Sequence, residues 1–308
     1  MSSEKMRIIP KHSIWSYKHK GWNAVQACLY ALKGLCKFEW LEKLYLRVSL
    51  RSFKNRFLVK ENTLSYFNFA GAKLPDVSKD EEKLKMLWQI FDDVFLVSCM
   101  FDDNYDKQIV EQVDLNTNEG PYGYVDGHFD VRVKKGDVVI DAGAWIGDFS
   151  AYAASKGAKS YAFEPCSETL FWLNKTSELN ENLIIPIQLG LGDKVCKMEV
   201  SVDETNTGGN SLVSDFTGNS EQVDVITLDS FVKEHNLECV DFIKSDIEGF
   251  ERNLLMGARE TLRKFAPKLA ICTYHLPDDP VVLAQIIKEA NPNYRIVQMR
   301  HKLFAAVV

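Results

Sequence analysis

Asp141, Gly143, Gly147 and Glu164 fall within one stretch, VVIDAGAWIGDFSAYAASKGAKSYAFEP, residues 138–165. A short apolar run ends on Asp141, and two glycines follow four apart. A helix-like segment comes next, and a second apolar run ends on Glu164. Glycine lets a backbone come close to a ligand where a bulky side chain would block it. A carboxylate at a strand tip can accept hydrogen bonds from both hydroxyls of a ribose. The spacing therefore reads as a seat for a nucleoside-containing cofactor, with Gly143, Ala144, Trp145 and Gly147 forming the bend and Glu164 and Pro165 the next strand tip.

A dinucleotide would want G-x-G-x-x-G at the opening of the helix. This bend reads G-A-W-I-G, with Trp145 inside it, which argues against NAD or FAD. Asp141 ahead of the bend suits a cationic cofactor better than a pyrophosphate. S-adenosylmethionine, with a sulfonium, an α-ammonium and no phosphate, fits that requirement.

A second group of chemically capable residues lies in DFIKSDIEGFERNLLMGA, residues 241–258. Strand alternation puts Lys244 and Asp246 on one face and Ser245 on the other. Asp246 falls at the strand's carboxyl end, beside the expected cofactor. Glu248 and Glu251 follow, and an acid in a first helical turn also has a plain use against the helix dipole. His275 ends the next run, LAICTYH, on the same rim. Asp246, His275, Lys244 and Glu248 are the catalytic candidates, with Asp246 or His275 as base. Asp246, Glu248 and His275 are also types that ligate a divalent cation, but no ligand spacing demands one, and no metal is expected. The other five histidines, at 12, 19, 128, 235 and 301, earn no role.

These residues need strands and helices to bring them together. From residue 128 onward, apolar runs at 138–141, 160–164, 183–189, 197–202, 222–227, 240–246, 268–274, 294–299 and 302–307 alternate with helical patterns. The helices are expected at 147–156, 167–179, 229–236, 250–263 and 279–289. Such alternation argues an α/β fold with a mainly parallel sheet covered on both faces. The last two strands are joined by a short turn and should be antiparallel. Upstream, 21–50 and 80–99 carry helical periodicity, and 67–80 reads as a connector. A boundary is placed near 118, giving a mainly helical N-terminal region, 1–118, and a second domain, 119–308. The loop 203–220, rich in Gly, Asn and Ser, reads as a substrate cover.

Composition narrows the setting. Of 308 residues, 46% are apolar and 26% charged, with a net charge of −6. Residues 1–60 carry 13 Lys or Arg against 3 Glu, while the remainder carries 24 basic and 40 acidic residues. That split suggests a basic head packing on an acidic domain, in the same chain or a second copy of a homo-oligomer. A basic amphipathic helix can also lie on an anionic membrane surface. Nucleic acid is not expected as a partner, because the acidic remainder repels phosphate. Seven cysteines without zinc-like spacing, no apolar leader and no long apolar run point to a cytoplasmic protein without a transmembrane segment.

VIDAGAWIGDFS, YAFEP, VDVITLDSF, VDFIKSDIEGFE and LAICTYH, in that order, resemble the FkbM family of S-adenosylmethionine-dependent methyltransferases. The resemblance covers roughly residues 119–308, and IK-x-DIEG-x-E is its most specific piece. It implies a Rossmann-like class I methyltransferase fold, a seven-stranded, mostly parallel sheet with an antiparallel last strand. It also implies methylation of a hydroxyl on a small-molecule or glycan acceptor such as a sugar or secondary metabolite. Trp145 stands where a small polar residue is common in the family, and Ser245 where an apolar one is usual. The competing functions are a cofactor-binding scaffold without chemistry, a metal-assisted sugar O-methyltransferase and a nucleoside-dependent dehydrogenase, the last disfavoured by the glycine spacing.

Overall fold

A computed structural model describes residues 39–69, 71–90, 122–201, 220–299 and 301–308. Most of the basic head (1–38) and nearly all of the expected cover loop lie outside the described residues. The chain divides into two compact units near residue 121, with residues 70–75 grouped with the second.

In the first unit, α1 (Glu39–Phe57) is followed by a hairpin of β1 (Leu58–Glu61) and β2 (Leu64–Phe69), and then by α2 (Glu81–Ile90). The helices are as expected; the hairpin adds two strands between them, and β2 reaches into the segment read as a connector. Phe67 and Phe69, two apart, share a strand face as the period of two requires. Both rings meet Phe53 of α1, at centroid distances of 5.5 and 5.7 Å. That aromatic packing outweighs the turn-forming composition downstream.

The second unit opens with β3 (Ala72–Pro75), whose Lys73 main chain exchanges two hydrogen bonds with the Asn180 side chain. A small hairpin follows, β4 (Tyr124–Asp126) and β5 (Phe129–Val131). Then come β6 (Val138–Ala142), α3 (Asp148–Ser155), β7 (Lys159–Phe163), α4 (Ser167–Leu179) and β8 (Ile184–Ile187). A side sheet is built from β9 (Gly190–Leu191), β10 (Cys196–Ser201) and β11 (Ser220–Ile226). The chain closes with α5 (Leu228–Glu234), β12 (Phe242–Ser245), α6 (Glu251–Met256), α7 (Arg259–Lys264), β13 (Lys268–Cys272), α8 (Asp279–Ala290), β14 (Tyr294–Met299) and β15 (Lys302–Val307).

The main sheet has seven strands in the order β14-β15-β13-β12-β6-β7-β8. β6 pairs in parallel with both β7 and β12, and β15 runs antiparallel to β13 and β14. This is the expected mostly parallel sheet with a reversed last strand. Both faces are covered. Phe242 and Phe149 meet on one face at 5.9 Å, and Phe163 and Phe231 on the other at 4.8 Å. All four are at most 1% exposed, and losing such a ring to alanine costs about 3–5 kcal/mol.

One expected element is broken. The helix read over 250–263 is two short helices with Gly257 between them. A Cβ on Gly257 would lie 1.9 Å from the carbonyl oxygen of Gly192. The helix gives way there so that a distant backbone segment can come close.

Chain order reverses between β6 and β12: β7 and β8 build outward on one side, β12 and β13 on the other. In open α/β sheets, ligands bind outside the carboxyl ends of the strands at that point. The turn after β6, the tip of β7 and the tip of β12 all converge there.

Candidate functional site

The register of β6 and β12 sets the foundation. Asp141 and Lys244 are paired residues on adjacent strands. The Lys244 ammonium lies 3.1 Å from the Asp141 carboxylate and also donates to the carbonyl of Gly143. Ser150 of α3 donates to the other Asp141 oxygen at 2.7 Å. Burial works against the Lys244 charge, but Asp141, Asp246 and Asp148 outweigh it and hold its pKa above the usual lysine range. Lys244 is thus a fixed cation beneath the turn. Asp141 is fully buried behind the turn and does not line the cleft.

The two glycines are required, and the atoms crowding them belong to the protein. Gly143 has φ +73°, and a Cβ there would collide with the Asp246 carbonyl. Gly147, with φ +85°, caps α3 and faces Leu173 and Thr176. Trp145, between them, is a non-glycine residue at φ +48°. Such a conformation costs about 1–2 kcal/mol in an L-residue. Ala144 is buried in the same turn.

Glu164 follows the end of β7 and is 6% exposed. Its carboxylate accepts the Trp145 N–H and the Cys166 N–H, both at 3.0 Å. Burial pushes this carboxyl above its ordinary range, against the pull of donors from Thr169, Cys166 and Trp145. Glu164 and Pro165 line a cleft with Gly143 and Trp145 on one wall and Asp246 and Glu248 on another. Leu189, Leu191, Val200, Ile247 and Phe250 give it an apolar compartment that sequence reasoning missed. Its empty space, counted out to the open mouth, is about 610 Å³.

The rim beyond β12 gathers the remaining candidates. Asp246 accepts the Tyr122 hydroxyl at 2.6 Å on one oxygen and the Tyr274 hydroxyl at 2.9 Å on the other. Burial works to raise its pKa, but Lys244, Lys302, the Tyr122 hydrogen bond and His275 bring it below the usual aspartate value. His275 Nε2 lies 3.2 Å from Glu248 and 3.7 Å from Asp246, and Nδ1 lies 3.2 Å from Glu251. These are ion-pair distances; neither ring nitrogen is aligned for a hydrogen bond. Burial opposes the imidazolium, yet Glu248, Glu251 and Asp246 outweigh it and lift the pKa to about 10.

Glu251 is fully buried, and one of its oxygens accepts the Ile247 N–H at 2.9 Å. Glu248 is a second non-glycine residue on the cleft wall with positive φ, +54°.

Asp246, Glu248 and His275 are therefore brought together, while Lys244 stands below them and Ser245 points to the opposite face. Sequence reasoning missed Tyr122, Tyr274 and Lys302. Lys302 is 2% exposed, and its ammonium lies 4.1 Å from the centre of the Tyr122 ring. Tyr274 had a signal in its place beside His275, and Lys302 in being a lysine at the head of an apolar strand. Tyr122 had none. Cys166, Cys196, Cys239 and Cys272 are thiols, as their scattered spacing suggested.

A seven-stranded sheet of this order, with a cleft at its switch point and a carboxylate at the second strand tip, defines a class I methyltransferase domain. The family model described as "Methyltransferase FkbM domain" matches residues 141–296, half of the chain. The chain belongs to the FkbM methyltransferase family.

It is 25% identical over 168 residues to the hexuronic acid methyltransferase AglP of Haloferax volcanii, covering 54% of this chain and 68% of that one. It is 28% identical over 158 residues to Methyltransferase 1 of Beauveria bassiana, covering 44% of this chain and 64% of the relative. Among solved structures, it is similar to the methyltransferase FkbM from Methylobacillus flagellatus KT at 18% identity with a TM-score of 0.46. That match covers 86% of this chain and 59% of the solved one.

Proposed function

We propose that this protein transfers a methyl group from S-adenosylmethionine to a hydroxyl of a sugar or glycan. The observation that carries the reading is the Glu164 carboxylate, buried at the tip of β7, held by two main-chain N–H groups and facing the cleft. It accepts the ribose hydroxyls. The apolar compartment around Leu191, Val200 and Phe250 takes the adenine, and the methionine end runs past Gly143 and Trp145. The sulfonium methyl then points at the rim of Asp246, Glu248 and His275. A sugar acceptor is supported by the name of the Haloferax relative, a hexuronic acid methyltransferase.

Methyl transfer from a sulfonium needs no acid for its leaving group, so positioning supplies much of the rate. The acceptor hydroxyl must still lose its proton. We assign that proton to Glu248, because it lines the cleft with a side chain 27% exposed. Both oxygens of Asp246 already hold tyrosine hydroxyls, and His275 is enclosed by carboxylates. Lys244 acts as a positioning residue that ties the turn to β12.

Calorimetry with S-adenosylhomocysteine tests the cofactor assignment. Saturable binding at one per chain is expected, and tight NAD binding or no product binding would overturn it. Mass spectrometry of uronic acid glycosides for a one-methyl gain tests the acceptor.

A further inference from the structure

The donor atoms of Asp246, Glu251 and His275 all lie within 4.8 Å of one another. We propose that these three side chains hold a divalent cation of the Mg²⁺ or Mn²⁺ type that seats the acceptor's oxygen. This rests on the methyl-transfer reading and adds to it a metal site that no motif along the chain announces.

Three observations carry it. First, the donors are buried and left over. The His275 side chain is 8% exposed and that of Glu251 is 1% exposed. The second oxygen of Glu251 lacks a hydrogen-bond partner, and the His275 ring nitrogens meet Glu248 and Glu251 as ion pairs at 3.2 Å. A buried oxygen is rarely left so, and a cation that displaces the imidazolium proton would use it together with one ring nitrogen.

Second, the groups behind the donors are already in place. Tyr122 and Tyr274 each donate to Asp246, and the Ile247 N–H fixes Glu251. Ligand carboxylates in metal sites are held by outer donors in this manner.

Third, the charge calls for a cation. Asp246, Glu248 and Glu251 all face one imidazole. Lys244 is shared with Asp141 below them. Lys302 lies over the Tyr122 ring and acts on Asp246 only as a nearby charge, with no carboxylate hydrogen-bonded to it.

Two carboxylates and one imidazole suit a cation that prefers oxygen and tolerates nitrogen. Two opposed Mg–O bonds of ~2.1 Å span about 4.2 Å, so the observed spread closes on a metal with small side-chain shifts. Three protein ligands leave positions open for water and for an acceptor offering an oxygen pair, such as vicinal hydroxyls or a hydroxyl beside a uronic carboxylate. In the transfer, the metal-bound hydroxyl gives its proton to Glu248. An oxygen lone pair forms the bond to the methyl carbon. The carbon–sulfur bond breaks with its electrons on sulfur, leaving neutral S-adenosylhomocysteine.

The test uses the full-length protein, stripped with a chelator, dialysed and titrated with MnCl₂ while free Mn²⁺ is followed by its paramagnetic resonance signal. One saturable Mn²⁺ per chain is expected, with modulation from a histidine nitrogen in the pulsed spectrum. Glu251→Gln keeps an acceptor for the Ile247 N–H, and its affinity should fall by at least about tenfold. Asp246→Asn should behave alike, with thermal melting confirming that each variant folds. No stoichiometric Mn²⁺, no nitrogen coupling, or wild-type affinity in folded Glu251→Gln overturns the site. Methyl transfer undiminished in chelator overturns its role in catalysis. Titration with S-adenosylhomocysteine separates the two readings: product binding without Mn²⁺ binding refutes the metal alone, and the reverse refutes the cofactor assignment alone.

Discussion

A Cβ on Gly143 would sit 1.9 Å from the carbonyl oxygen of Asp246. The turn after β6 and the tip of β12 therefore touch backbone to side chain-less backbone, and the cofactor wall and the catalytic rim are fixed relative to each other. Gly143→Ala must push them apart and also place alanine at φ +73°. A loss of about 2–4 kcal/mol is expected from the strained conformation and the overpacking together. Gly147→Ala meets only the flexible end of Leu173 at 2.7 Å and the Thr176 side chain at 3.2 Å. Urea unfolding of the two variants should rank Gly143→Ala as the more damaging, and the opposite order would refute the account.

Asp148 offers a pH test away from the rim. Burial, and then the neighbouring Asp141, raise its carboxyl from an ordinary 3.8 to about 6, with Lys244 pulling the other way. Between about pH 4 and 6 the native state holds this proton while the unfolded chain releases it, so stability falls as pH rises across that window. Above it, the buried carboxylate costs about 3 kcal/mol. Asp148→Asn should match wild type near pH 4 and exceed it by up to that amount at pH 8. A gap that does not widen with pH removes the argument.

Glu164 is expected to govern cofactor affinity. Glu164→Ala leaves the Trp145 and Cys166 N–H groups and the ribose hydroxyls without their acceptor, at about 1–3 kcal/mol of product binding. Glu164→Gln keeps one acceptor oxygen and should lose less. Calorimetry that finds Gln as weak as Ala, or Ala as tight as wild type, rejects the ribose assignment.

How much of this was readable depends on where each residue's reason lies. The β6–turn–α3–β7 stretch was legible because one segment carries both the pattern and its cause: apolar runs, glycines at positive φ and an acid at the tip. The helix 167–179 appears at its expected ends. Gly257 misled because its partner, Gly192, is distant in sequence, and nothing local marks a glycine that must admit another backbone. The glycines of the bend were read as room for a ligand, whereas Asp246 and Leu173 supply the crowding. Tyr122 and Lys302 reach Asp246 from opposite ends of the second unit, so only the folded sheet brings them together. Glu251 passed for a helix-dipole acid because a sequence does not reveal that its side chain is buried.

The two phenols on Asp246 have a kinetic signature. Tyr122→Phe and Tyr274→Phe each remove one charge-assisted hydrogen bond, worth about 1.5–3 kcal/mol, while neither lines the cleft. Each should lower kcat about tenfold to a hundredfold with S-adenosylhomocysteine affinity nearly unchanged. The double variant should fall short of the summed effect, because both act on one carboxylate. Full additivity would mean that they act on separate groups.

Glu248 supplies the sharpest separation of stability from activity. Its backbone sits at φ +54°, a conformation glycine adopts without strain, so the residue is held there at a cost of about 1–2 kcal/mol. If that cost is borne to place a proton acceptor, Glu248→Gly should be as stable as wild type or more so, by up to about 1 kcal/mol after the extra freedom of glycine in the unfolded chain. Turnover should nonetheless fall by about 10²–10⁴, the usual worth of a positioned base. Glu248→Gln, which keeps the shape and removes the basicity, should lose a similar factor in single-turnover experiments. Unfolding midpoints and single-turnover rates on the same two variants decide the matter. A Gln variant that turns over within a few-fold of wild type would return the proton to another group on the rim.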